Sequence, residues 1–192
     1  FKALCNDKGF LIEQYSIRIL RSASVIKYLH AKKSAKAAEI LAFGNPGLGD
    51  ARYDLAYTQE EARAVARKRL QSRVLVRKEA TETAFRKYGR SFRYIHFATH
   101  GQCDSDMPPK SAILLAGDDW SDGRLTVDRL YSMNIDADLV TLSACETGLG
   151  KVANGDDVVG LTRGFLYAGS NSIVSSLWKV DDQATGDLIA GF

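Results

Sequence analysis

Two residues of this 192-residue chain have the types to carry out nucleophilic chemistry together, Cys145 and His100. A cysteine is a strong nucleophile as its thiolate, and an imidazole within reach generates that thiolate by taking the proton. Cys145 sits in Leu142-Ser-Ala-Cys-Glu-Thr-Gly148, where small residues and a glycine let a substrate backbone come close. His100 sits in Phe97-Ala-Thr-His-Gly101, and the glycine leaves its N–H unshielded by a side chain. The Gly101 and Cys145 N–H groups can then form an oxyanion hole for acyl transfer. The residues alone leave two readings open. Either this is a catalytic pair or these are two unrelated buried residues, because a cysteine often serves as a small core hydrophobe. An α/β-hydrolase site is excluded: there is no G-x-S-x-G, and the histidine precedes the nucleophile.

Other reactive types have plainer accounts. His96 and His100 are four apart with Cys103 beyond them, but on a strand that spacing is about 13 Å, too far for one ion. His96 therefore reads as a satisfied core histidine, and neither a metal nor a cofactor is expected. Gly44-Asn-Pro-Gly47 lacks the Lys-Ser/Thr of a phosphate loop. Arg63, Arg67, Lys68, Arg69, Arg73 and Lys78 read as a solvated helix face, with a partner domain or an RNA-containing assembly as the other use. No interleaved aromatics suited to base stacking accompany them.

Composition bounds the molecule. At 192 residues and 45% hydrophobic, the chain is long enough for one ordinary domain with a real core. Net charge is +3, but residues 1–95 hold 20 Lys/Arg against 9 Asp/Glu, and residues 96–192 hold 6 against 14. The half with the reactive residues is acidic, which favours a basic or neutral substrate over a phosphodiester. Three cysteines without a CxxC pair fit a reducing, cytoplasmic compartment rather than a disulfide framework. No apolar run approaches a membrane span. The opening Phe1-Lys-Ala-Leu4 and the periodic ending Gln183–Phe192 suggest a piece of a longer chain, with a truncated C-terminal boundary.

The elements that must position the pair alternate in period. Strands are expected at Tyr15–Leu20, Glu39–Phe43, Arg73–Arg77, Phe92–Ala98, Ala112–Ala116, Leu139–Ser143 and Ser172–Leu177. Helices are expected at Val25–Lys33, Glu60–Leu70, Thr81–Tyr88, Thr126–Met133 and Val158–Tyr167, with a last one capped by Asp181 or Asp182. Such alternation marks an α/β fold, a largely parallel sheet with helices on both faces. Ligands in these sheets sit beyond the carboxyl ends of strands, where His100 and Cys145 fall.

Residues 92–101 (FRYIHFATHG), 142–150 (LSACETGLG), 160–168 (GLTRGFLYA) and 174–182 (VSSLWKVDD) together closely resemble the CHAT family. These are caspase-like domains found beside tetratricopeptide repeats and related to separases and metacaspases. Weaker likeness runs upstream through Leu11–Leu29, Gly44–Pro46, Glu60–Glu61 and Glu79–Thr81, so it covers nearly all of residues 1–192. The resemblance implies a three-layer caspase–hemoglobinase fold around a six-stranded, mostly parallel sheet. It also implies His100 as the catalytic histidine, Cys145 as the nucleophile and the Gly101 N–H on the oxyanion. The activity implied is that of a cysteine endopeptidase acting on a protein substrate, regulated by a partner or an attached repeat region. Asp156, Asp157, Asp181 and Asp182 can line the substrate rim and favour Arg or Lys before the scissile bond; as a second account, Asp157 and Asp182 cap helices. Trp178 walls the pocket or closes the core. The rival readings are an inactive caspase-like recognition or scaffold module and a hydrolase of small esters or amides.

Overall fold

Short runs of branched and aromatic residues build the sheet, and distant hydrogen bonds decide where each element begins. The computed structural model describes residues 5–6, 9–15, 38–104, 106–146 and 156–175. The chain divides into two units, residues 1–33 and 34–192. In the first, Cys5–Asn6 (β1) pairs antiparallel with Gly9–Phe10 (β2), and the single turn Leu11–Gln14 (α1) follows. The strand expected at Tyr15–Leu20 falls, from residue 16 on, outside the described residues, as does the helix expected at Val25–Lys33.

The second unit holds the sheet. Its strands are Ala38–Pro46 (β3), Arg73–Arg77 (β4), Phe92–Gln102 (β5), Ala112–Leu114 (β6), Arg124–Thr126 (β7), Leu139–Glu146 (β8) and Ile173–Ser175 (β9). Five run parallel in the order β4-β3-β5-β8-β9. The antiparallel hairpin β6–β7 joins the end of β5 at Gly101 and Gln102. Since β8 already occupies one edge of β5, β6 takes the edge that β3 leaves after Ala98. Ala56–Arg67 (α2), Glu82–Tyr88 (α3), Val127–Leu130 (α4) and Asp156–Tyr167 (α5) complete the unit. The expectation of an α/β fold with a largely parallel sheet flanked by helices holds.

Period-two alternation sends side chains to both faces. On one face Leu41, Phe43, Ile95, Phe97, Val140 and Leu142 pack with Phe85 and Phe165. The Phe43 and Phe97 rings stack with centroids 4.9 Å apart, and Phe85 meets Phe97 edge-on at 5.2 Å. On the other, Ile40 and Ala42 pack with Ala62 and Ala66 of α2. A Cβ at Gly44 would lie 2.7 Å from the Ala62 Cβ, so only glycine lets α2 sit this close.

Boundaries differ from expectation where long-range contacts decide them. Helix α2 begins at Ala56, four residues before Glu60, because the Leu55 N–H donates to Asn45 Oδ1 at 2.9 Å. Helix α3 starts where local rules place it, with the Ala84 N–H donating to the Thr81 hydroxyl at 3.0 Å. Strands β5 and β8 run past Ala98 and Ser143 because their ladder continues. Strand β6 stops at Leu114, and β7 had no periodic signal of its own. Among the described residues no helix is long and apolar enough to cross a membrane.

Beneath α2 lies a buried acid–imidazole pair. Glu61 Oε1 stands 3.1 Å from His96 Nε2, with side chains 1% and 3% exposed. Their geometry is not that of an aligned hydrogen bond, and both ring nitrogens lack one among the described residues. His96 is thus a core histidine as expected, but not a satisfied one: it has a carboxylate at ion-pair distance and no hydrogen bond among the described residues. Removing one member of such a pair strands the other in a dry site, at a cost of about 3 kcal/mol. We predict that Glu61→Leu loses about that much in urea denaturation, and that adding His96→Phe restores part of it. Strictly additive losses in the double variant would show that the two groups do not interact.

Candidate functional site

The site forms where β5 and β8 end together. In their parallel ladder Ala98 is in register with Ser143, Thr99 with Ala144, His100 with Cys145 and Gly101 with Glu146. Forty-five residues of sequence separation thereby collapse to the spacing of neighbouring strands, about 4.8 Å. His100 and Cys145 lie inside strands rather than just after them, since pairing to β8 and β6 extends the ladder. Gly101 is flanked by Glu146 on one side and by Ile113 of β6 on the other.

The His100 ring is buried, 3% exposed, and held by main chain. Its Nε2 lies 2.7 Å from the Tyr53 carbonyl oxygen. A carbonyl only accepts, so the neutral ring carries its proton on Nε2 and keeps Nδ1 as the basic nitrogen. The Tyr53 ring meets the imidazole edge-on, centroids 6.1 Å apart.

That carbonyl is placed by a loop tied at several points. Asn45 adopts φ +43°, a conformation asparagine tolerates better than most residues, and its side chain receives the Leu55 N–H. The Gly47 N–H donates to the Arg77 carbonyl at 3.2 Å, and Arg77 Nη1 meets Asp54 at 2.6 Å. Between these ties, Asp50 caps the short turn Ala51–Tyr53 by accepting from the Arg52 N–H at 2.9 Å. The Arg52 side chain beside it holds the Asp50 carboxyl below its ordinary range.

A cleft of about 530 Å³ opens next to this loop, lined by Gly47–Gly49, Tyr53, Leu114, Leu115, Gly117 and Asp122–Arg124. Its far wall is the β6–β7 hairpin. Arg129 braces that wall, donating to Glu82 at 2.7 Å and to Asp122 at 2.6 Å. Arg124 donates to Gln102 Oε1 and, at 3.4 Å, to the Lys110 carbonyl.

The remaining expected site residues divide in two. Asp156 and Asp157 occupy the first turn of α5, so Asp157 lies inside the helix rather than capping it from outside. Trp178, Asp181 and Asp182 lie outside the described residues. Among the described residues no three His, Cys, Asp or Glu side chains gather as a metal site. In the basic cluster, Arg63 pairs with Glu60 at 2.7 Å and the Arg73 guanidinium lies 4.1 Å over the Tyr88 ring, while Arg67, Lys68, Arg69 and Lys78 are exposed. Sequence reasoning missed Tyr53 altogether. Its contribution is a main-chain oxygen, which no residue type announces.

The hairpin's outer tie is acid-labile. Lys110 Nζ lies 2.8 Å from Asp128, and with the Thr126 hydroxyl it holds the Asp128 carboxyl down to about 2. A carboxyl depressed by folding contributes its full stability above the unfolded value near 3.9 and loses it as pH falls toward about 2. We predict a shallower acid-side loss of stability between about pH 4 and pH 2 in Asp128→Asn than in the parent. Identical slopes in urea titrations across that range would remove the claim.

Comparison with known proteins agrees with this geometry. The whole chain, residues 1–192, matches the CHAT domain family. It is also similar to tetratricopeptide repeat protein 28 of Homo sapiens, 34% identical over 102 residues, which is 53% of this chain and 4% of that protein. The chain thus spans a small part of the length of the curated relative it matches. With a largely parallel sheet whose motif-bearing strands pair in register, and a family match along its entire length, the chain belongs to the CHAT family of caspase-like domains.

Proposed function

We propose that this domain is a cysteine endopeptidase with Cys145 as nucleophile and His100 as its base. The observation that carries the reading is the His100–Cys145 register together with the Tyr53 carbonyl on Nε2. The first makes the two residues partners in one parallel ladder. The second leaves Nδ1 as the basic nitrogen.

The reaction follows from those roles. His100 Nδ1 takes the thiol proton, and the Cys145 sulfur attacks the scissile carbonyl carbon. The Gly101 and Cys145 N–H groups take the charge that develops on oxygen. As the tetrahedral species collapses, the imidazolium gives its proton to the leaving amine, and the first product departs. Water, deprotonated by His100, then attacks the thioester, and the thiol and a carboxylic acid are released. Throughout, Nε2–H stays on Tyr53, so the ring turns over protons without losing its orientation.

Specificity for Arg or Lys before the scissile bond is the second element of the proposal. Its support is the acidic second half of the chain, with Asp156 and Asp157 on the helix that follows the nucleophile segment. The substrate is a protein. The resemblance to a repeat protein suggests a longer natural chain, in which an attached repeat region would govern access to the site.

The test uses the full-length parent protein and acyloxymethyl-ketone peptides bearing Arg, Lys or Asp beside the warhead. Intact-mass analysis should show one adduct on Cys145 with the basic probes. His100→Ala should slow labelling by at least about 10²-fold. Absence of labelling in folded parent, with and without its binding partners, would leave the inactive-module reading in its place. Labelling by the Asp probe alone would keep the peptidase and discard the basic preference.

A further inference from the structure

The cleft beside Tyr53 has no part in the reaction as described, and its place in the sheet gives it one. We propose that it receives the leaving-group half of the substrate, and that Arg124 selects an acidic side chain there. The proposal rests on the peptidase reading above.

Position comes first. Cys145 lies on the β8 side of His100, whereas the cleft lies on the β3 side, walled by the loop after β3 and by the β6–β7 hairpin. His100 must hand its proton to the departing amine, so the chain beyond the scissile bond has to pass on the histidine's side. Tyr53 joins the two regions, because its carbonyl holds the imidazole and the same residue lines the cleft. Leu114 lines it too, one residue beyond the Ile113 that pairs with Gly101. Gly49 and Gly117 keep the floor low, with nothing within 3.5 Å of where a side chain would begin.

Charge decides the occupant. Arg124 reaches only neutral oxygens, those of Gln102 and Lys110, and no carboxylate lies within ion-pair distance among the described residues. The nearby acids pair with other groups, although Asp122 also accepts the Arg124 main-chain N–H at 3.0 Å. Asp122 shares Arg129 with Glu82, and Glu82 also takes Arg86 at 2.7 Å. Asp118, outside the cleft lining, accepts the Trp120 and Ser121 N–H groups of its own turn. Lys110 is held by Asp128. Glu82, Asp122, Arg86, Arg129 and Arg124 together leave one positive charge. Of the two charged residues that line the cleft, Asp122 has Arg129 as its ion-pair partner and Arg124 has no carboxylate at that distance among the described residues. A substrate Asp or Glu would meet a guanidinium already oriented by two hydrogen bonds.

The experiment measures binding and cleavage by the full-length parent. Short fluorescent peptides with a free amino terminus mimic the amine product and carry Glu, Gln or Lys at their first three positions. The Glu peptide should bind about fivefold more tightly than the Gln peptide, the scale of a half-exposed ion pair. Arg124→Gln should erase that preference, Arg124→Glu should turn it toward Lys, and Arg124→Lys should keep part of it. Cleavage of quenched substrates varied after the scissile bond should rank in the same order. Equal binding of all three peptides, or a preference for Glu that survives in Arg124→Gln, overturns the subsite. Ketone labelling of Cys145 in the parent separates the two proposals. Labelling without discrimination in the cleft discards the subsite and spares the peptidase, and peptide binding still decides the subsite if labelling fails.

Discussion

Everything at the site depends on the β5–β8 register. In a ladder of period two, a slip by one residue would turn the whole strand over, setting Ala144 or Glu146 beside His100 and exposing Val140 and Leu142. The site itself is too small to prevent that. What prevents it is the core below, where Ile95 and Phe97 on β5 and Val140 and Leu142 on β8 share a face with Phe43, Phe85 and Phe165. Burying an aromatic or branched side chain is worth about 1.5–3 kcal/mol, so a slipped strand would forfeit several such terms at once. The register of Cys145 with His100 is therefore a by-product of hydrophobic packing three to five residues earlier in each strand.

The opposite face carries two histidines with different partners, and the contrast bears on mechanism. His96 has a carboxylate, Glu61, while His100 has a main-chain carbonyl. A carboxylate would stabilise the imidazolium more strongly and would raise the proton affinity of the ring. A carbonyl orients the ring and fixes its tautomer with no charge of its own. For a serine nucleophile that difference is costly, because the hydroxyl is a very weak acid. A thiol titrates near 8.5, so a modestly basic imidazole suffices to draw its proton at neutral pH. In the proposed reaction orientation is then the larger need, and a carbonyl anchored through Asn45, Asp54 and Arg77 would supply it.

Much of this was legible because it is local. The alternation of Arg73–Arg77 marks β4, Thr81 announces α3 through its cap, and the apolar run from Phe92 marks the strand that delivers His100. What sequence concealed is non-local. The start of α2 depends on an asparagine ten residues upstream, β7 is three residues long, and the ends of β5 and β8 are set by one another. Tyr53 acts through an oxygen every residue possesses. Asp156 and Asp157 read as a pocket rim, with Asp157 also as a helix cap, and neither account follows from their place inside the first turn of α5.

The division of charge along the chain also changes meaning on folding. The basic first half and acidic second half suggest opposite electrostatic regions, yet the ion pairs cross between them. Arg93 of the first half meets Asp138 of the second at 2.9 Å, and Glu82 meets Arg129 at 2.7 Å. Such pairs consume the asymmetry locally, and what matters to a ligand is the charge left over at a concave surface, where the field is least screened by solvent. On the β3 side of His100 that residue is Arg124. With the proposed basic preference before the bond and the proposed Arg124 subsite after it, a peptide lying across the two strand ends would be read with opposite signs on either side of the bond it presents, so a Lys or Arg followed by Glu or Asp would match both halves at once, and its reversal would be opposed by both.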